Sequence, residues 1–337
     1  MKSAGIIGTG SYLPEHILTN EYFVNYLDTT DEWIKSRTGI SERRKADPGV
    51  TTSDLGAIAG KRAIEDAGLN PEDIDLIITA TVTPDMLFPS TACLIQEKIQ
   101  AKNAAAFDLS AACSGFIYGL SIANSFVASG VYKNVLVIGA EVLSAVLDPQ
   151  DRRTVVLFGD GAGAAVVSEV EKDFGFLAFD LGADGSGGHV LKVDAGGSKM
   201  PASEETIASG SHYVKMMGKE VFKFAVKILG VTGKRVLEKA GISNEDVDFL
   251  IPHQANIRIV DAALRRFKIS KEKTMINLEK YGNTSGASIP IALDEAVKQG
   301  RIKDGNIVAM VGFGAGLTWA STVMKYSFPG KGEKIGA

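Results

Sequence analysis

The sequence is poor in the residues that form disulfides and bind metals. Its 337 residues include two cysteines, Cys93 and Cys113, and four histidines that lie far apart. Because no Cys-x-x-Cys or His-x-x-x-His pair occurs, no structural or catalytic metal is expected. The first residues lack the apolar run of a signal peptide, since Gly8, Gly10 and Pro14 interrupt it. We therefore expect a cytoplasmic protein whose two thiols are reduced.

Two further absences limit the partners. No apolar run approaches the ~18 residues of a membrane span, so no membrane association is expected. The net charge is −4 and the pI about 5.7, whereas a nucleic-acid-binding domain is usually strongly basic, so no nucleic-acid partner is expected. The composition, with 45% hydrophobic and 23% charged residues, is typical of a soluble globular protein, and the length allows two domain-sized cores.

The chain contains the same pattern twice. Residues 60–80, GKRAIEDAGLNPEDIDLIITA, align with residues 233–253, GKRVLEKAGISNEDVDFLIPH. Each segment predicts a helix that ends at a glycine, an acidic turn and a buried strand. Two further pairs follow at nearly the same offset: LSAACSGF around Cys113 with EKYGNTSGA around Asn283, and NVLVIGAEV at 134–142 with NIVAMVGFG at 306–314. Three matches in one order indicate an internal duplication.

The duplication predicts the fold. Strands alternate with helical segments in each copy, which is typical of an α/β protein with mostly parallel central sheets and helices in layers. We assign residues 1–172 to an N-terminal half and residues 173–337 to a C-terminal half, related by a pseudo-two-fold axis. Because ligands of open α/β sheets bind at strand ends, functional residues of the two halves are expected to face one another.

The segment around Cys113 has the pattern of a nucleophile site. Residues 104–120, AAAFDLSAACSGFIYGL, predict a strand, a turn of small residues and the start of a helix, with Cys113 at the turn. The first N–H groups of a helix are unpaired and carry the positive end of its dipole. Cysteine pKa values fall in such positions, and the thiolate is the nucleophile. The alternative is a buried structural cysteine.

Three other segments supply polar groups that would meet this cysteine across the two-fold axis. His253 follows a buried strand, Asn283 lies in the copy of the cysteine turn, and the glycine-rich turn at 312–316 can present backbone N–H groups. Taken singly, His253 would be a hydrogen-bonded core residue, Asn283 would lie in an ordinary turn, and the glycine-rich turn would only join two elements. Together with Cys113 they are the groups needed for acyl transfer through a thioester.

These motifs resemble those of a known family. The segments that carry the resemblance are AACSG at 111–115, HQAN at 253–256, GNTSG at 282–286, GTGSYLP at 8–14, TTDEWI at 29–34 and SRTGI at 36–40. In combination, and over essentially the whole chain, the sequence resembles the β-ketoacyl-acyl carrier protein synthase III family of bacterial fatty-acid synthesis, within the thiolase-like superfamily.

The resemblance implies a homodimer with a Cys-His-Asn triad. Cys113 would take an acyl group from acyl-CoA, which is a substrate, so no cofactor is expected. His253 and Asn283 would hydrogen-bond the thioester carbonyl of malonyl-acyl carrier protein and stabilise the enolate formed as CO2 leaves. The carbanion would then attack the acyl-cysteine. The expected starter is acetyl-CoA, and the alternative is a related synthase that uses a branched or longer acyl-CoA in polyketide or secondary metabolism.

The resemblance also implies roles for other residues. Backbone N–H groups of Cys113 and Ala315 would hold an oxyanion, although the family usually has a glycine where this chain has Ala315, and alanine reaches a positive φ less easily. The residues implied in CoA binding are Trp33, Arg37, Arg152 and Asn256. Those implied in the acyl pocket are Leu157, Phe158 and, from the dimer partner, Phe88.

A basic surface is the expected docking site for the acidic acyl carrier protein. Four lysines from Lys215 to Lys227 recur every four residues, which places them along one helix face. A solvated helix face is the ordinary interpretation. The resemblance instead implies that carrier-protein docking involves Lys223, Arg258, Arg265 and Arg266.

Other functions fit the sequence less well. Gly8-x-Gly10 resembles a dinucleotide-binding loop, but the third glycine is absent and Pro14 follows. A binding protein that kept the fold without catalysis is disfavoured by the intact triad. Chain-extending synthases have a second histidine where this chain has Asn283, and hydroxymethylglutaryl-CoA synthases use a glutamate base. Plant-type polyketide synthases share the Cys-His-Asn set and remain an alternative.

Overall fold

A computed structural model of the chain describes residues 2–327, which form thirteen strands and ten α-helices. The strands are β1 (Ala4–Tyr12), β2 (Ile17–Thr19), β3 (Glu42–Arg44), β4 (Leu76–Ala80), β5 (Ala105–Leu109), β6 (Val135–Glu141), β7 (Gly161–Glu169), β8 (Gly175–Ala183), β9 (Leu191–Val193), β10 (Val214–Met216), β11 (Phe249–Pro252), β12 (Ile307–Gly314) and β13 (Thr318–Lys325). The helices are α1 (Asn20–Val24), α2 (Asp31–Thr38), α3 (Thr52–Asp66), α4 (Thr91–Ile99), α5 (Gly115–Ser129), α6 (Glu204–Ala208), α7 (Gly218–Ala240), α8 (Ile257–Phe267), α9 (Leu278–Tyr281) and α10 (Ser288–Lys298).

Two mixed sheets form the centre of the molecule. One has the strand order β1-β7-β6-β4-β5 and the other the order β8-β13-β12-β11. Strand β4 runs parallel to β5 and β6, and β11 runs parallel to β12, whereas the remaining pairs are antiparallel. The predicted α/β class is confirmed, with more antiparallel pairing than the mostly parallel sheets expected. The short connection between β12 and β13 requires their pairing to be antiparallel, because a parallel pair requires a long crossover.

The two sheets match strand by strand. In the order given above, β1 corresponds to β8, β7 to β13, β6 to β12 and β4 to β11. The counterpart of β5 is reduced to one parallel bridge between Leu250 and Thr274. This correspondence supports the halves predicted from sequence, 1–172 and 173–337, whose boundary stays a prediction. Residues 328–337 of the second half lie outside the described residues.

Helices and sheets alternate in five layers. Helices α5 and α10 lie between the two sheets, and their apolar residues share one core with strands of both sheets. Helices α3 and α4 cover the outer face of the first sheet, and α7 and α8 cover the outer face of the second. The N-termini of the two central helices therefore meet in the interior.

The central helix α5 is apolar nearly all round because sheets cover both its sides. Phe116, Ile117 and Leu120 are buried there, and the helix ends at Gly130, which adopts the left-handed conformation with φ 76°. With the turn before it, residues 112–129 have the length and apolar composition of a membrane span. This corrects the expectation that no segment approaches that length. Burial between two sheets explains the composition of this helix.

Candidate active site

Two turns of matching conformation meet at the centre of the molecule. The 3-10 turn Ala112–Ser114 precedes α5, and the 3-10 turn Ser285–Ala287 precedes α10. The first residue of each, Ala112 or Ser285, has a φ of 47°, which non-glycine residues seldom adopt. The shared conformation shows that the two turns are structural counterparts.

The matching turns fix which residues correspond. Cys113, second in its turn, is the counterpart of Gly286, so Asn283 lies three residues before the cysteine-equivalent position. A Cβ added to Gly286 would lie 3.3 Å from Glu141 Oε1 and 3.5 Å from Ala112 O, so the second turn packs closely on the first. Strand β12 approaches Cys113 more closely still, since a Cβ on Gly314 would lie 2.6 Å from the Cys113 nitrogen.

The Cys113 thiol is buried and neutral. Its S–H donates a hydrogen bond to Ser285 Oγ at 3.4 Å. Burial raises the pKa of the thiol to about 12, and the nearby Glu141 carboxylate contributes to the rise. The sequence-based prediction of a lowered pKa is therefore wrong. Removal from water opposes the charged form more strongly than the helix terminus favours it.

His253 presents a neutral imidazole. Burial lowers its pKa to about 3, and its ring packs edge-on against Phe313 with centroids 5.5 Å apart. Its Nδ1 lies 2.6 Å from Ser288 Oγ, which also accepts the Gln254 backbone N–H at 3.5 Å. A serine hydroxyl that accepts this backbone N–H can donate its own proton to Nδ1, and in that arrangement the imidazole proton is on Nε2.

Asn283 is held by backbone bonds to the neighbouring segment. Its N–H donates to Leu157 O at 2.8 Å, and its carbonyl accepts from the Gly159 N–H at 3.1 Å. The side-chain Oδ1 accepts the Ser285 N–H at 2.8 Å. With this oxygen engaged, the amide NH2 is the group left to donate to a ligand.

The structure brings Cys113, His253 and Asn283 to one cavity. This cavity has a volume of about 110 Å³ and is also lined by Leu157 and Phe158. A second cavity of about 230 Å³ adjoins Cys113 and Phe158 on another side. Further lining residues of the second cavity are Val82, Leu143, Val146, Ser285 and Ala315. A buried thiol therefore lies between two mainly apolar chambers, and the first of them also contains two neutral donors, His253 and Asn283.

Ala315 occupies its position without backbone strain. It lines the second cavity next to Cys113, and its φ is outside the positive range. Alanine in place of the family's usual glycine therefore requires no unfavourable backbone conformation at this position.

The residues assigned to CoA lie close to one another. The Arg152 guanidinium lies 5.7 Å from the centre of the Trp33 ring. Asn256, which lines the 110 Å³ cavity, donates from Nδ2 to the Arg37 carbonyl at 2.8 Å. Trp33 and Arg37 are both exposed on α2, so the four residues connect the cavity with the surface.

Phe88 is not part of the site in its own chain. Its side chain is 83% exposed, and the adjacent Leu87 is 79% exposed. Neither residue lines either cavity beside Cys113. The segment therefore presents apolar side chains to solvent in a single chain.

The four basic residues assigned to docking are exposed on α7 and α8. Lys223 and Arg266 line a groove of about 690 Å³. The Arg258 guanidinium lies 5.1 Å from the Phe222 ring, and Phe222 lines both that groove and the 110 Å³ cavity. The fourth, Arg265, lies in the last turn of α8.

Sequence reasoning missed three polar side chains of the site, Ser285, Ser288 and Glu141. Ser285 lies within a quoted motif but was given no role, and Ser288 follows three residues later. Glu141 carries the clearest signal, because it is a charged residue that closes a strand of otherwise apolar residues and is fully buried.

Comparisons with known proteins identify relatives along the whole chain. A family model described as "3-Oxoacyl-[acyl-carrier-protein (ACP)] synthase III" matches residues 107–185, and one described as its C-terminal part matches residues 237–326. "Beta-ketoacyl-[acyl-carrier-protein] synthase III" of Caldanaerobacter subterraneus subsp. tengcongensis is 61% identical over 325 residues, which cover 96% of this chain and 98% of that protein. A protein of the same name from Desulfitobacterium hafniense is 56% identical, with coverage of 97% and 99%.

Solved structures agree with these matches. 3-Oxoacyl-[acyl-carrier-protein] synthase III from Aquifex aeolicus is 50% identical with a TM-score of 0.89, and the match covers 96% of this chain and all of that one. The priming β-ketosynthase of the R1128 polyketide pathway is 37% identical with a TM-score of 0.91, and the match covers 98% of each chain. The resemblance given by the sequence motifs and the thiolase-like fold are confirmed. The chain belongs to the 3-oxoacyl-[acyl-carrier-protein] synthase III family of condensing acyltransferases.

Proposed function

We propose that the protein starts fatty-acid synthesis by joining acyl-CoA, with acetyl-CoA as the expected starter, to malonyl-acyl carrier protein. The products are 3-oxoacyl-acyl carrier protein, CO2 and CoA. The observation that carries this proposal is the meeting of a thiol, a neutral imidazole and an amide at one cavity, from Cys113, His253 and Asn283. Two neutral donors beside a nucleophile suit the stabilisation of developing oxyanions.

In the first half-reaction, the Cys113 thiol loses its proton and its sulfur attacks the acyl-CoA carbonyl, the bond from that carbon to the CoA sulfur breaks, and CoA leaves as a protonated thiol. The oxyanion that forms on the attacked carbonyl accepts hydrogen bonds from the backbone N–H groups of Cys113 and Ala315 before CoA leaves. In the second, His253 Nε2–H and the Asn283 amide donate to the thioester carbonyl of malonyl-acyl carrier protein while CO2 departs. The enolate carbon attacks the acyl-cysteine and releases the Cys113 sulfur. Each such donor is typically worth about 3 kcal/mol of transition-state stabilisation.

The starter group enters the 230 Å³ cavity beside Cys113. Leu157 and Phe158 form walls near the sulfur. That volume exceeds the needs of an acetyl group, which favours a branched or longer acyl-CoA as the second candidate. Similarity to a priming synthase of a polyketide pathway supports the same alternative.

A second copy of the chain completes the site in a cytoplasmic homodimer. The exposed Leu87 and Phe88 are the apolar surface that the copy would cover, with Phe88 reaching the partner's acyl cavity. CoA lies against Trp33, Arg37, Arg152 and Asn256. The acyl carrier protein docks on Lys223, Arg258, Arg265 and Arg266. No cofactor or metal takes part.

Intact-protein mass spectrometry tests the proposal. The protein is incubated separately with acetyl-, isobutyryl- and longer acyl-CoAs, and adducts are mapped by digestion. We expect one acyl group on Cys113, none on Cys113→Ala and an unchanged adduct on the matched variant Cys93→Ser. The chain that loads fastest identifies the starter. A folded wild-type sample that forms no adduct with any acyl-CoA would contradict the mechanism.

A further inference from the structure

Two hydroxyl groups lie between the turn that holds Cys113 and the glycine-rich turn that joins β12 to β13. Thr318, the first residue of β13, places its Oγ1 2.9 Å from the Ala111 carbonyl oxygen and 3.0 Å from the Ala315 carbonyl oxygen. Ser114 is fully buried and places its Oγ 2.8 Å from the Ala111 carbonyl oxygen and 2.9 Å from Thr318 Oγ1. The two hydroxyls therefore contact both backbone segments that carry the proposed oxyanion donors.

The protons of these hydroxyls can join the two segments in series. Each hydroxyl has one proton to donate and can accept as well. When Ser114 donates to Thr318 and Thr318 donates to the Ala315 carbonyl, hydrogen bonds run without a break from the residue after the nucleophile to Ala315. The Ala111 carbonyl keeps the Ser114 N–H as a donor, at 3.2 Å.

The duplicated fold shows that such a turn forms without the serine hydroxyl. Ser114 is the third residue of its 3-10 turn, and Ala287 is the third residue of the matching turn. Both residues are fully buried, so alanine builds the corresponding turn in the half that has no nucleophile. Burying a hydroxyl removes it from water and is costly unless hydrogen bonds replace those it made there. The hydroxyl at Ser114 therefore points to a task that belongs to the half with the cysteine.

The glycine-rich turn lies against the cysteine turn and has a free donor. A Cβ on Gly314 would lie 2.6 Å from the Cys113 nitrogen and 3.2 Å from the Ala111 carbonyl oxygen. Ala315 follows directly and lines the 230 Å³ cavity together with Cys113. Within residues 2–327, the Ala315 N–H has no hydrogen-bond acceptor, so it is available to a ligand in that cavity.

We propose that Thr318 and Ser114 are positioning residues for the oxyanion site. Their hydrogen bonds hold the N–H groups of Cys113 and Ala315 at the separation that the acyl-CoA oxyanion requires. The two hydroxyls act through the backbone segments and transfer no proton. Donors that are fixed in advance need no rearrangement when charge develops on the carbonyl oxygen, which is the source of their effect on rate. The inference rests on the proposed function, because it assumes that acyl-CoA acylates Cys113.

Two reactions of the same thiol separate positioning from damage to the thiol. Acylation of Cys113 by acetyl- or isobutyryl-CoA passes through an oxyanion, whereas alkylation by iodoacetamide displaces iodide from a saturated carbon and forms none. Both rates are measured on Cys113 by peptide mass spectrometry, with the exposed Cys93 as a reference thiol for the alkylation. Thr318→Val keeps the shape of the side chain and removes its hydroxyl. Ser114→Ala gives the first turn the residue that the second turn has.

The positioning role predicts a selective loss. We expect Thr318→Val to lower the maximal rate of acylation about 10- to 100-fold, with the acyl-CoA concentration at half-maximal rate and the alkylation rate both unchanged. Ser114→Ala should also slow acylation and leave alkylation unchanged. The double variant should lose less than the product of the two single losses, because the hydroxyls act in one series. Thr318→Ser, which keeps the hydroxyl, should restore most of the acylation rate.

A threonine of the same strand provides the matched control. Thr322 is fully buried, donates to the Ala178 carbonyl at 2.9 Å and lines neither cavity beside Cys113, so Thr322→Val should acylate as wild type does. Acylation of Thr318→Val at the wild-type rate, or acylation and alkylation slowed by the same factor, would overturn the inference. If Thr318→Val does not fold, Ser114→Ala decides by the same criteria. A wild-type protein that no acyl-CoA acylates would instead contradict the proposed function, and the inference with it.

Discussion

His253 Nδ1 and Ser288 Oγ lie 2.6 Å apart, at the point where β11 ends and α10 begins. The histidine comes from a strand and the serine from the first residue of a central helix, so their contact depends on how helix and sheet pack. Through it the helix sets which imidazole nitrogen carries the proton. The orientation of the proposed donor His253 is therefore fixed by a residue that does not line the cavity.

Replacing Ser288 tests this relationship. Ser288→Ala removes the partner of Nδ1, so the imidazole proton is no longer held on Nε2. We expect decarboxylation of malonyl-acyl carrier protein to slow about tenfold, the equivalent of one hydrogen bond near 1.4 kcal/mol, while acyl-CoA loading of Cys113 is retained. The two half-reactions are measured separately. Ser288→Thr, which keeps the hydroxyl, should recover most of the rate, and equal loss in both variants would contradict the assignment.

The depressed pKa of His253 predicts how stability depends on pH. Burial lowers this pKa to about 3, whereas a histidine in an unfolded chain titrates near 6.5. Between these values the unfolded state binds a proton that the native state does not, so stability is lost as pH falls below 6.5. Urea denaturation at pH 7 and pH 5 should show about 2 kcal/mol more loss for wild type than for His253→Gln. Equal losses would show that His253 is not neutral in the native state.

The close approach of β12 to Cys113 predicts that Gly314 cannot be enlarged. A Cβ there would lie 2.6 Å from the Cys113 nitrogen and 2.9 Å from Ala112 Cβ, so the turn must shift. Gly314→Ala is expected to destabilise the protein by about 1–3 kcal/mol and to slow acyl-cysteine formation at least tenfold. Thermal unfolding and loading rates are the measurements. Gly185→Ala is the control, because a Cβ at Gly185 meets nothing within 4 Å; similar losses in both variants would refute the prediction.

The basic surface on α7 and α8 predicts a selective defect. Arg258→Glu reverses a charge near the cavity mouth, where Phe222 joins the docking groove to the cavity. We expect a higher KM for malonyl-acyl carrier protein, diminishing at high salt, with acyl-CoA loading unchanged. Lys61→Glu on α3 is the control, because its repeat counterpart Lys234 lies in the groove while Lys61 does not. If both half-reactions of Arg258→Glu suffer equally, the docking assignment is wrong.

The sequence predicted the duplication and the three residues that meet at the cavity, because each lies in a local pattern: a strand end, a small-residue turn or a repeat. It could not predict the partners that arise from packing of the two halves. Ser288 lies 35 residues from His253, and Glu141 lies 145 residues from Gly286. The thiol pKa was predicted in the wrong direction for the same reason, since burial is a property of the assembled layers.

The matching turns also determine how many covalent sites one chain can hold. Gly286 occupies the place of Cys113 in the second turn, and a Cβ there would lie 3.3 Å from the Ala80 carbonyl and 3.3 Å from Glu141 Oε1. A thiol has no space at that position unless its neighbours move. The two copies therefore contribute different groups to the cavity: one provides the Cys113 sulfur, and the other provides the hydroxyl, imidazole and amide that surround it.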